Sequence, residues 1–207
     1  MKKQQTTAYI VKIAMLSAVA FLLDLIDFPV PLMPSFVKLD ISDLPALLGS
    51  FALGPVAGVI IEVLKNVLKV IVRGTSTQFV GELFSIVMGG VFVVVAGLIY
   101  KAKHTRAGAV IAAVAGAVAM AIASLPMNYY VVYPLYATLF GGMDRIIGAY
   151  QAIWGGAGDL FTCLAVFNIP FTFVKGMLDA VICFLIYKPL SPLLHRESFQ
   201  SQKKKAA

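Results

Sequence analysis

The stretch "KLDISDLPALLGSFALGP", Lys38 to Pro55, decides how the chain is read. Lys38, Asp40 and Asp43 stand directly before an apolar run, Leu44 to Leu53, and Gly54-Pro55 cuts that run short. About 20 apolar residues are needed to cross the hydrocarbon core of a bilayer. A helix this short must tilt, be extended by its flanks or sit among other helices. Short segments are tolerated at membrane depth where they line a cavity or are covered by protein. The charged flank therefore reads as a loop over a polar, outward-facing pocket.

Composition supports the same class. Of the 207 residues, 60% are hydrophobic and 13% charged, with a mean hydropathy of +0.90. A soluble domain carries about 45–50% apolar and about 25% charged residues. Long runs such as Ala107 to Met127 hold no charge at all. The chain reads as an all-α, polytopic membrane protein forming one domain, residues 1–207. Its +7 net charge needs no nucleic acid, because lipid headgroups account for it.

The predicted helices cover about residues 8–28, 44–53, 55–72, 79–100, 107–127 and 169–190. The first begins in a basic, signal-like segment with a cleavage-like Ala18-Val19-Ala20. The apolar run continues to Ile26, however, so it reads as an uncleaved helix ended by Pro29 and Pro31. Asp43-Leu44-Pro45 can cap the short second helix. Residues 128–168, with Gly141, Gly142, Gly155, Gly156 and Gly158, read as a long irregular stretch. Six spans place both termini on one side. That side holds most of the Lys and Arg: Lys2, Lys3, Lys12, Lys101, Lys103, Arg106 and those from Lys188 onward. Both termini are therefore predicted to be cytoplasmic.

This topology collects polar groups at the outer face: the 38–43 loop, Glu82, Asn128 and Lys175. Charge inside a bilayer is costly and marks function by default. Two readings are open for Glu62, Lys65, Asn66 and Lys69, which share one face of the third helix. They are either a structural pair of Glu62 with Lys65 while Lys69 reaches outward, or part of a ligand site. Lys175 either contacts a ligand or bridges to Glu82 or Asp179. Cys163 and Cys183 read as packing residues, and His104 and His195 as solvated edge residues. No nucleotide-binding loop, nucleophile–base pair or metal cluster is visible, so an enzyme is not expected. Ala14 and Ala18 lie four apart in "AMLSA" and permit close approach of a partner helix.

At this point the residues resemble a known family. "KLDISDLPALLGSFALGPVAGVIIEVLKNVLK" (38–69), "TSTQFVGELFS" (75–85), "LPMNYYVVYPLY" (125–136) and "NIPFTFVKG" (168–176) resemble the substrate-binding S components of energy-coupling-factor (ECF) vitamin transporters. The match is strongest to the riboflavin-specific ones. The resemblance implies a compact bundle of six transmembrane helices in the cell membrane, capped by the loop after the first helix. It implies riboflavin as a transported ligand rather than a cofactor, and a transmembrane coupling subunit plus two ATPase subunits as partners. It makes Leu39, Asp40, Glu82, Asn128, Tyr130 and Lys175 the expected ligand contacts. Asn128 and Lys175 would serve the ring edge, Asp40 and Glu82 the ribityl hydroxyls. Tyr129, Tyr133, Tyr136, Phe140 and Trp154 are further candidates for packing on the ring. Ala14 and Ala18 become the docking face. The alternatives are an S component for another vitamin or a flavin nucleotide, and a membrane protein with no transport role.

Overall fold

The computed structural model describes residues 2–186, with side chains from residue 6 onward. Helix α1 (Lys2–Asp24) ends four residues before the predicted boundary. Beyond it, Phe28–Pro29 and Lys38–Leu39 form β1 and β2, an antiparallel ladder that pairs Phe28 with Leu39 and Pro29 with Lys38. The 25–43 segment is thereby closed on itself as a folded cap.

Helix α2 (Leu44–Leu53) and α3 (Pro55–Arg73) form the expected hairpin. Gly54 joins them at φ 106°, a conformation that glycine adopts without steric penalty. Asp43 precedes α2, but its side chain makes no capping bond, correcting that expectation. Helix α4 (Val80–Ala102) follows, and Thr105 caps the next helix by accepting from the Gly108 N–H.

The largest departure lies between residues 128 and 168. Helix α5 (Arg106–Phe140) does not stop at Met127; α6 (Met143–Gln151) follows, and α7 (Leu160–Ile186) starts well before residue 169. Helix runs on through Pro134 and Pro170 by means of π turns, Asn128–Val132 in α5 and Leu164–Asn168 in α7. A proline removes one N–H and clashes with the carbonyl four residues earlier. For Pro134 that carbonyl belongs to Tyr130, and for Pro170 to Val166, each inside its π turn. Widening the helix there relieves the clash without ending it. The predicted end of the last helix near Leu190 and the basic tail with His195 lie outside the described residues.

Among the described residues, four helices are long and apolar enough to cross a membrane: α1, α4, α5 and α7. Lipid tails are as apolar as leucine, so close van der Waals fit must hold such helices together. The sequence supplies small residues for that fit. The buried face of α5 is Gly108, Ala112, Ala113, Gly116, Ala117 and Ala121, with Met120 and Ser124. A Cβ at Gly116 would run into the Phe92 carbonyl of α4, and one at Gly176 of α7 into Met120 and Ala117. The core joins these faces to Ile13 and Ala20 of α1, Leu47 and Leu48 of α2 and Ile61 of α3. A second cluster holds Val132, Tyr133, Ile146, Tyr150 and Leu164, packing α6 against the two π turns.

Candidate functional site

Between the cap and the helices lies a cavity of about 640 Å³. Small-molecule sites usually measure about 300–1,000 Å³. One side is aromatic, with Phe36 from the cap and Tyr133, Tyr136 and Phe140 from the last turns of α5. Phe36 stacks on Phe140 with ring centres 5.9 Å apart and meets Tyr133 edge-on at 6.4 Å. Another end is ionic, with Asp24, Asp27, Lys38, Lys69 and Arg73.

Beside the cavity an ion-pair network ties the cap to the bundle. Lys175 of α7 donates to Asp43 Oδ2 at 2.7 Å and Asp40 Oδ1 at 3.2 Å, and lies 3.7 Å from Asp179. Lys65 of α3, fully buried, donates to Asp43 Oδ1 at 2.6 Å. The Asp43 carboxylate thus bridges two ammonium groups, which explains why it does not cap α2. Lys65 also sits 2.6 Å from Glu62 Oε2, the pair named in one of the two readings. That contact is ionic without hydrogen-bond alignment, and both Glu62 oxygens are without a hydrogen-bond donor. Lys69 does not reach outward, as one of the two readings had it; it pairs with Asp24 of α1 at 2.9–3.0 Å.

The electrostatic consequence is clearest in the cap. Burial by itself would push the Asp40 carboxyl up, and the Asp43 charge adds to that. The Lys175 ammonium, then Lys65 and the Ser42 hydrogen bonds, overcome both and hold Asp40 below its ordinary value. For Asp43, burial is again opposed by Lys175 and Lys65 through charge and hydrogen bonds, and the carboxyl sits well below the usual range. Both aspartates stay ionised at neutral pH.

Glu82, in the first turn of α4, is presented by its loop. Thr75 and Thr77 donate to its Oε2 at 3.0 and 3.2 Å. Their hydroxyl oxygens accept from the Phe79 and Gly81 N–H groups at 2.9 and 3.0 Å, so the hydroxyl protons must turn to Glu82. Gln78 and Phe79 adopt left-handed backbone, φ 50° and 69°, to complete this arrangement.

Of the residues expected from sequence, the structure gathers Asp40, Glu82, Asn128 and Lys175 on the cavity wall. Leu39 is not on that wall; it pairs with Phe28 in the cap ladder. Tyr130 is a correction of placement. It is 74% exposed and packs on Tyr129, because the π turn aims Asn128, Val132 and Tyr133 inward and the intervening residues outward. Trp154 is also half exposed and off the wall, whereas Tyr133, Tyr136 and Phe140 are on it. Sequence reasoning missed Phe36, Asn168 and Thr172 as wall residues. The signal for Asn168 was present: it precedes Ile169-Pro170, and the second π turn turns it inward. Ala14 and Ala18 lie on the exposed face of α1, opposite the buried Ile13, Ser17 and Ala20.

The family described as "ECF transporter, substrate-specific component" matches residues 8–187. The chain belongs to that family. Its relatives include the riboflavin transporter RibU of Staphylococcus aureus (strain TCH60), 33% identical over 93% of this chain and 95% of that protein. The riboflavin transporter FmnP of Bacillus subtilis (strain 168) is 30% identical over 91% and 94%. A solved structure described as "Structure and mechanism of the S component of a bacterial ECF transporter" superposes with a TM-score of 0.72 at 30% identity. It covers 91% of this chain and 98% of that one. As a substrate-specific component of ECF transporters, the chain is an integral membrane transport protein and not an enzyme.

Proposed function

We propose that this S component captures riboflavin at the outer face of the cell membrane and delivers it inward with an ATP-driven coupling module. The observation that carries the reading is the cavity itself. An aromatic side suits the flat isoalloxazine ring, and Asn128, Asn168 and Lys175 suit its polar edge. Glu82 and Asp40 suit the hydroxyls of the ribityl chain. The relatives named as riboflavin transporters supply the ligand's identity. In this reading the chain spans the membrane six times with both termini in the cytoplasm, and the cap faces outward. A transmembrane coupling subunit docks on the Ala14–Ala18 face, and two ATPase subunits drive uptake, since the chain carries no nucleotide loop of its own.

The experiment is direct. Protein purified from flavin-containing cells is expected to carry a yellow chromophore with the absorption of riboflavin. Colourless protein that retains a different vitamin would count against it. A second reading, a phosphorylated flavin, is favoured by Lys38, Lys69 and Arg73 at one end of the cavity against Asp24 and Asp27. Competition by flavin mononucleotide for bound riboflavin separates the two.

A further inference from the structure

Tyr133, Tyr150 and Asn168 close a hydrogen-bonded ring beside the cavity. Tyr150 donates to Asn168 Oδ1 at 2.7 Å, Asn168 Nδ2 donates to Tyr133 Oη at 2.8 Å, and the two phenol oxygens are 2.5 Å apart. Tyr150 is 0% exposed and comes from α6, whereas Tyr133 and Asn168 lie on the cavity wall at the two π turns. Proton counting fixes what the ring leaves over. Tyr150 has one proton and gives it to Asn168, so Tyr133 must give its own proton to Tyr150. The amide sets this sense, because its Oδ1 faces Tyr150 and its Nδ2 faces Tyr133. Both hydroxyl protons are then used, and Tyr133 can only accept from the cavity. Asn168 keeps one N–H and one lone pair. A closed cycle of this kind reinforces each of its members in a buried setting.

We infer that Tyr150 is a positioning residue for ligand recognition: it clamps the Asn168 amide so that its remaining donor meets the polar edge of the bound ring. This rests on the riboflavin reading. Tyr150 touches no ligand in this account, because it does not line the cavity. Its effect passes through Asn168. A free asparagine amide could rotate, and a Tyr133 hydroxyl released from Tyr150 could donate directly to Asn168 and reverse its preference.

The test uses the full purified chain and two flavins, riboflavin and lumiflavin, which shares the ring but lacks the ribityl hydroxyls. Tyr150→Phe, which removes one oxygen atom, is expected to weaken both ligands by a similar factor, roughly fivefold or more. In an Asn168→Ala background the same change is expected to cost nothing further, because the residue it positions is gone. Unchanged affinity for Tyr150→Phe, a loss confined to riboflavin, or losses that multiply with Asn168→Ala would each overturn the inference. A merely structural role would lower the melting temperature and leave the lumiflavin affinity alone. Should Tyr150→Phe fail to fold, Tyr133→Phe opens the same ring and is judged by the same cycle with Asn168→Ala. Wild-type protein that binds no riboflavin overturns the functional reading and this inference together; wild-type binding with an indifferent Tyr150→Phe removes only the inference.

Discussion

Lys175 faces three acids, Asp40, Asp43 and Asp179, and its ammonium is what lets the first two approach the same point. Lys175→Ala would leave those carboxylates partly buried and facing one another. Breaking a buried pair by removing one partner costs about 3–5 kcal/mol, and the site's partial exposure places the loss near the lower end. The expected outcome is a lower melting temperature of the ligand-free protein together with weaker riboflavin binding. Unchanged apo stability would mean that the network does not hold the cap. The pH dependence follows from the same contacts. Asp40 and Asp43 are both held below their ordinary values, so their contribution is complete above about pH 4, where the unfolded carboxylates ionise. It is lost as pH falls through the depressed folded values. Melting temperature should therefore be insensitive to these groups from pH 5 to 8 and fall only below about pH 4. A steep cap-dependent loss near pH 6 to 7, absent from Asp40→Asn, would contradict this assignment.

At the scale of elements, the α2–α3 hairpin was legible because its signals are local. Pro45 in the first turn, Gly54-Pro55 at the corner and a charged flank each act within a few residues. The 128–168 region was not legible, because its five glycines read as breaks while the support that carries helix past Pro134 and Pro170 is tertiary. Pro134 and Pro170 would break an isolated helix, yet packing around Tyr150 and Leu164 keeps α5 and α7 continuous through π turns. The site was half legible for the same reason. Asp40, Glu82, Asn128 and Lys175 announce themselves as polar residues in oily surroundings, whereas Tyr130 and Asn168 depend on which way a widened turn faces. Asp43 read as a helix cap because nothing in its neighbourhood reveals Lys65 and Lys175. Helix α1 carries its own expectation. Its Ala14 and Ala18 are exposed, so Ala14→Trp or Ala18→Trp should leave riboflavin affinity within about twofold while abolishing uptake or copurification with the coupling subunit. Equal loss of binding would place these residues inside the bundle instead.

For the molecule as a whole, the cap, α3, α4, α5 and α7 each lend polar or aromatic groups to one cavity. Membership of the S-component family gives that cavity its setting, and its aromatic, charged and amide groups are what the proposed flavin ligand would use. The measurement that bears most directly on this is a titration of ligand-free protein with riboflavin, followed by flavin fluorescence, beside thiamine and biotin. Saturable quenching by riboflavin at one site per chain, weakened by Asn128→Ala and Lys175→Ala, is the expected result. Saturable binding of thiamine or biotin with no response to riboflavin would contradict the account.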